Sequence, residues 1–221
     1  TAELRRASVI VGLDQYVDRV RGLLRPGTRV AASGLGAEER RAGLAVELAG
    51  AGHAVALVGS GDAGVYGMAS PALDVADDTF DVVGAPGVTA MLAAAAALGA
   101  PLGHDHAVIS LSDLHTPWPV IEQRVRAAAA GDLVVAFYNP RSRGRDWQLG
   151  AALALLAGAR PPGTPVGVVT DASCPGQTVR ISTLSDVDVE RVGMSSLVVV
   201  GSSSSRVVAG RFVTPRGYRW R

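Results

Sequence analysis

Short apolar runs alternate with stretches of helical period through the first half of this chain. Residues 9–11, 29–32, 54–58 and 80–83 are compact apolar runs that predict buried strands. Residues 14–24, 37–51 and 88–98, and a stretch from about Val65, predict helices. In the second of these, Leu44, Ala45 and Leu48 share one face. Strand–helix alternation argues for a largely parallel sheet with crossover helices. Gly99-Ala100-Pro101-Leu102-Gly103 then reads as a natural break. The second half restarts with a strand at 107–111. Thr116 reads as the cap of a helix that has Pro117 at its first position and runs to about Ala130. A strand at 133–137 and a helix at 147–156 come after it. Strands at 166–169, 178–183, 197–200 and 211–213 come next, with little helix between them, so this sheet is more antiparallel. The fold class is α/β, with two domains, 1–103 and 104–221. The first sheet is mostly parallel and the second mixed.

Composition narrows the function classes. A chain of 221 residues with 48% hydrophobic residues can bury an ample core. Its net charge of +1 gives no broad field for nucleic acid or anionic membrane. The single cysteine, Cys174, excludes an intrachain disulfide framework and a multi-cysteine metal site, and reads as an incidental thiol near a turn. No apolar run reaches the roughly 18 residues of a membrane span, and no signal peptide is visible. These features predict a cytoplasmic protein without nucleic-acid, membrane or metal partners. The chain opens at Thr1 and enters its first strand almost at once. A trimmed start, or membership of a longer chain, is therefore expected.

Three segments carry candidate chemistry: Val58-Gly59-Ser60-Gly61-Asp62-Ala63-Gly64-Val65-Tyr66-Gly67-Met68, Gly84-Ala85-Pro86-Gly87-Val88-Thr89-Ala90, and Phe137-Tyr138-Asn139-Pro140-Arg141-Ser142. Each succeeds an apolar run. Glycines let main chain approach a ligand where a side chain would block it, and strand ends are where open α/β sheets bind ligands. The spacing is not a dinucleotide fingerprint, because no Gly-x-Gly-x-x-Gly joins the first strand to a helix.

The Ser60–Met68 loop resembles the glycine–aspartate loop of the tetrapyrrole methylases. The likeness extends to Gly99–Asp105, Ile109–Leu114 with Thr116-Pro117-Trp118, Tyr138–Ser142 and Gly210–Tyr218, where it is to the precorrin-3B C17-methyltransferase branch of that family. The resemblance implies two α/β domains with a ligand trough between them and S-adenosylmethionine as methyl donor, leaving S-adenosylhomocysteine as product. It further implies methylation of precorrin-3B at C17 with ring contraction in cobalamin biosynthesis, and a homodimer. Members usually begin with a strand and a Gly-x-Gly-Pro-Gly loop. Residues 7–16 here resemble the segment on the C-terminal side of that loop, so the first strand and loop are expected to be missing. Another precorrin methylase, or a non-catalytic corrin-binding remnant of a fused protein, are the alternatives.

By the same resemblance Ser60, Gly61, Asp62, Val65, Thr89 and Ala90 line the cofactor, joined by motif position by Asn139, Ala172 and Gly201. Methyl transfer needs donor and acceptor held close and aligned. Ring contraction also moves protons, so an acid or base is expected. Asp113 and His115 are the first candidates, with His104 and Asp105 beside them. For Asp113 and His115 the competing reading is loop polarity at a helix start. Ser110 and Ser112 could bond the substrate, and Arg141 offers a fork to its carboxylates. Arg143 and Arg145 read equally well as a solvated basic turn.

Overall fold

The structure, a computed structural model, describes residues 1–219. It divides into two compact units, one spanning Thr1–Thr89 and one beginning at Ala90.

In the first unit the order is α1 (Ala2–Arg6), β1 (Val9–Leu13), α2 (Asp14–Val20), β2 (Arg29–Ser33), α3 (Glu38–Gly50), β3 (Val55–Val58) and α4 (Ala69–Asp74). The three strands form a parallel sheet in the order β2-β1-β3. The central strand β1 is buried throughout, which explains its unbroken apolar sequence. Its alternate residues serve opposite faces. Ile10 packs with Ala7 and Val17, while Val9 and Val11 pack with Ala45. Gly12 is required here, since a Cβ would lie 2.5 Å from the Val58 side chain and 2.9 Å from that of Val17.

Three expectations are corrected in this unit. Residues 80–83 form no strand. No neighbouring strand pairs with them, and Val83 is 85% exposed. The helix read from Val65 begins only at Ala69. Turns occupy the residues between, with the Val65 N–H donating to Asp62 O and the Ala69 N–H to Ala63 O. The helix read over 14–24 ends at Val20 and passes into a single 3-10 turn, Arg21–Leu23.

The second unit contains α5 (Ala90–Leu98), β4 (Gly99–Ala100), β5 (His106–Ser110), α6 (Trp118–Ala130), β6 (Val134–Tyr138), α7 (Gln148–Ala157), β7 (Pro165–Thr170), β8 (Thr178–Thr183), β9 (Ser196–Val200), β10 (Arg206–Val208) and β11 (Arg211–Val213). Its main sheet has the order β5-β6-β9-β7-β8. Only β5 and β6 are parallel; the other pairs are antiparallel. One face carries Val135, Phe137, Val198 and Val200 against Ile121 and Val125 of α6 and Leu149 and Leu156 of α7. The other carries Val134, Ala136, Leu197 and Val199 against Met91, Ala94 and Leu98 of α5 and Phe212 of β11. That packing places α5 in this unit, so the contact boundary falls before Ala90 rather than within 99–103. Gly99 and Ala100 pair instead with Phe212 and Val213, in a small sheet ordered β10-β11-β4.

The start of α6 also departs from the sequence reading. The helix begins at Trp118, and Pro117 stands at the cap position with no side-chain cap bond. Pro119 takes a first-turn position, where its missing N–H costs nothing.

Candidate functional site

In the first unit, the chain leaving β3 at Val58 turns through exposed Gly59, Ser60 and Gly61. Gly61 sits at φ +73, a conformation that favours glycine. The half-buried Asp62 then ties two glycine loops together. Its Oδ1 accepts the Gly64 N–H at 2.8 Å, and its Oδ2 accepts the Gly87 N–H at 3.0 Å. These two backbone bonds, Gly87 first, hold the carboxyl below its ordinary value of 3.8. The loops approach so closely that a Cβ on Gly87 would stand 2.0 Å from the Gly61 carbonyl oxygen. Beside Gly59 and Gly84, by contrast, nothing lies within 4 Å of where a Cβ would be, so main chain there faces open space. Val65 is half-buried in the same loop, and Thr89 is buried.

Arg41 was not singled out from the sequence. It is 4% exposed on α3, where it shares the buried face of Ala42 and Ala45. Its Nε donates to Ser33 Oγ at 3.1 Å and its Nη2 to Gly34 O at 2.8 Å, and its Nη1 lies 3.7 Å from Met68 Sδ. It thus joins the end of β2 to the end of the glycine–aspartate loop. A basic residue on an otherwise apolar helix face was the available signal.

In the second unit, Ser110 and Tyr138 end the parallel pair β5 and β6 in direct register. The Tyr138 hydroxyl accepts the Met91 N–H at 2.9 Å, which brings the first turn of α5, opened by Ala90, to the same end of the sheet. Asn139 sits at φ +49 and its Nδ2 donates to Ser110 Oγ at 3.0 Å. The Ser112 N–H donates to the same oxygen at 3.2 Å. Strand β9 begins and β7 ends here, with Thr170 and Ser196 hydroxyls 2.7 Å apart. Ala172 lies in the turn after β7, between Asp171 at φ +51 and Ser173 at φ +61.

Asp113 lies on the loop after β5. Buried Gln148 of α7 donates from Nε2 to Asp113 Oδ2 at 2.8 Å, and Arg145 Nε lies 3.9 Å from Oδ1. Arg145 also donates from Nη1 to the carbonyls of Leu111, at 3.1 Å, and Asn139. Its side chain is only 11% exposed, so the solvated-turn reading is overturned for Arg145. Burial draws its pKa below the ordinary arginine value, and Asp113 pushes it partly back. Arg143 is exposed.

The other predicted residues scatter. His115 is exposed on the loop two positions after Asp113. Arg141 is engaged within the protein, donating to Val189 O at 2.9 Å and Glu190 Oε2 at 2.6 Å. Its bond to Glu190 raises its pKa. Gly201 lies beyond the far end of β9, where its N–H donates to Pro165 O at 2.9 Å and its carbonyl accepts from Arg160. A Cβ there would meet Ser205 at 2.6 Å and Phe212 at 3.2 Å. His104 and Asp105 precede β5, at the sheet end opposite Asp113. Cys174 is half-buried in the turn after β7. Among the described residues, no helix is long and apolar enough to cross a membrane.

The family described as Tetrapyrrole (Corrin/Porphyrin) Methylases matches residues 2–188. A probable cobalt-factor III C(17)-methyltransferase of Salmonella typhimurium is 48% identical over 218 residues, covering 97% of this chain and 90% of the relative. A precorrin-3B C(17)-methyltransferase of Sinorhizobium is 41% identical over 215 residues, covering 94% and 84%. The crystal structure of the methyltransferase CobJ superposes with a TM-score of 0.92 at 38% identity, covering 97% of this chain and 91% of that one. With glycine loops, sheet ends and long alignments in agreement, this chain belongs to the tetrapyrrole methylase family.

Proposed function

We propose that this chain methylates C17 of a precorrin-3B-type macrocycle, cobalt-free or cobalt-bearing, with ring contraction and with S-adenosylmethionine as donor. The observation that carries the reading is the pair of glycine loops locked by Asp62. They leave main chain at Gly59 and Gly84 open, with Ser60 and Gly61 exposed beside it, as a ligand bound through backbone groups requires. Relatives bearing both the cobalt-factor III and the precorrin-3B names support the macrocycle class.

The cofactor, when bound, supplies the methyl group. Ser60, Gly61 and Val65 would hold it from the first loop, and Thr89 and Ala90 from the second. Asp62 serves it indirectly, since both its oxygens already hold loop N–H groups. In the second unit Ser110, Ser112 and Asn139 offer hydroxyl and amide groups at one sheet end for the macrocycle's polar rim. Asp113, beside Arg145, is an acceptor for a proton released during contraction. Arg141, already engaged with Glu190, suits a role in bracing its loop better than one in binding a substrate carboxylate. The homodimer rests on the family resemblance, and sedimentation of the purified protein tests it.

The test is turnover of each macrocycle by Asp113→Asn and His115→Ala variants. At least one should slow product formation by roughly a hundredfold while leaving S-adenosylhomocysteine binding nearly unchanged. Parental rates in both variants would remove the Ser110–His115 loop from the chemistry.

A further inference from the structure

We propose that Arg145 is a positioning residue that fixes the Asp113 side chain in place at the end of β5. This rests on the reading of Asp113 as a proton acceptor. Three observations support it. The guanidinium is nearly enclosed, with its side chain 11% exposed, so it is built into the fold and not left to solvent. It binds two loops at once, through Leu111 O on the Asp113 side and Asn139 O on the Tyr138 side. And its Nε stands 3.9 Å from Asp113 Oδ1, while Gln148 holds Oδ2 from the opposite element at 2.8 Å.

Gln148 donates to Asp113 through Nε2, and Gln148 Oε1 is buried with no hydrogen-bond partner among the described residues. The neutral Gln148 donor and the Arg145 cation thus face different oxygens of one carboxyl group. The charged groups around Asp113 are few. Arg145 faces it from the loop after β6, and α7 presents the neutral Gln148. His115 lies further along its own loop and is exposed, and Asp146, beside Arg145, is also exposed. Arg145 is therefore the group whose loss should change the behaviour of Asp113 most.

The experiment is a pH–rate profile of formation of the ring-contracted product for the parent, Arg145→Met, Arg145→Lys, Asp113→Asn and His115→Ala, each checked for a cooperative thermal melt. Arg145→Met removes the cation nearest Asp113, so the acid limb of the profile should move upward. Arg145→Lys keeps the charge without the fixed fork, so its limb should stay at the parental pH while its rate falls. S-adenosylhomocysteine binding should hold in both. If Arg145→Met does not fold, Arg145→Lys carries the test, and a displaced limb there overturns the proposal. An unmoved limb in Arg145→Met, alongside a slowed Asp113→Asn, overturns the role of Arg145 alone. An Asp113→Asn variant as fast as the parent, or an acid limb that disappears in His115→Ala, overturns the reading of Asp113 beneath it as well.

Discussion

Substituting Gly87 with alanine adds one methyl group to an exposed loop, a change that ordinarily costs little. Here the new Cβ would lie 2.0 Å from Gly61 O, 2.9 Å from Gly61 C and 3.3 Å from Asp62 Cα. All three are backbone atoms, so no side chain can swing aside. Contact at ordinary separation requires the two loops to part by roughly an ångström. The bond from Gly87 N–H to Asp62 Oδ2, now 3.0 Å, would then stretch beyond hydrogen-bonding range. The loops are exposed, so global stability should change little. The cofactor site should suffer, because misplacement by about 1 Å can cost a hundredfold in rate. Calorimetric titration with S-adenosylhomocysteine should show at least about a tenfold loss of affinity, roughly 1.4 kcal/mol. Methyl transfer should fall by about a hundredfold. Gly43→Ala is the control, since nothing lies within 4 Å of its Cβ position on the exposed face of α3, and it should bind and turn over as the parent does. A folded Gly87→Ala protein that binds and turns over like the Gly43→Ala control would refute the idea that the Asp62-locked loops form the cofactor site.

Gly61→Val places a β-branched side chain at φ +73 and beside the open main chain, and titration should show S-adenosylhomocysteine binding weakened more than about tenfold in a protein that still melts cooperatively. The Asp62 carboxyl is held below 3.8 when folded, so its contribution is present above its unfolded pKa and is lost as pH falls through the lower folded one. Affinity for S-adenosylhomocysteine should therefore be level from about pH 7 to about pH 5 and decline only in the window below 3.8; a decline centred near pH 5 would contradict the assignment. Arg160, 5% exposed, donates to Leu133 O and Gly201 O behind the main sheet of the second unit. Arg160→Met should lower unfolding free energy in urea by about 2–4 kcal/mol, because it leaves one buried and one part-buried carbonyl without their donor.

Much of the fold was legible because period and burial agree. The strands β1, β5, β6, β7 and β9 are short apolar runs in the sequence and pack on both faces in the structure. The expected strand at 80–83 shows the limit. Its residues are apolar enough, but a strand exists only when a neighbour completes its hydrogen bonds, and partners are a tertiary property. The segment 99–103 shows a related limit. Its glycines do mark a change of direction, yet Gly99 and Ala100 pair with a strand more than a hundred residues later. The glycine loops announced themselves as backbone-lined segments, whereas the use of Asp62 to join them was invisible, because Gly87 is distant in sequence. Arg145 shows the same problem in the second unit. In a run of three arginines, nothing local says that Arg141 bonds Glu190, that Arg143 stays in solvent and that Arg145 turns inward between two strand ends.

Incubation of the protein with S-adenosylmethionine carrying an isotopically labelled methyl group tests the central claim most directly, with precorrin-3B and cobalt-factor III supplied separately. The account predicts label on C17 of a ring-contracted macrocycle with at least one of the two, read by mass and magnetic resonance spectra, and one S-adenosylhomocysteine released per methyl transferred. Label at another ring position, or none on either macrocycle from a folded protein that binds S-adenosylhomocysteine, would contradict it.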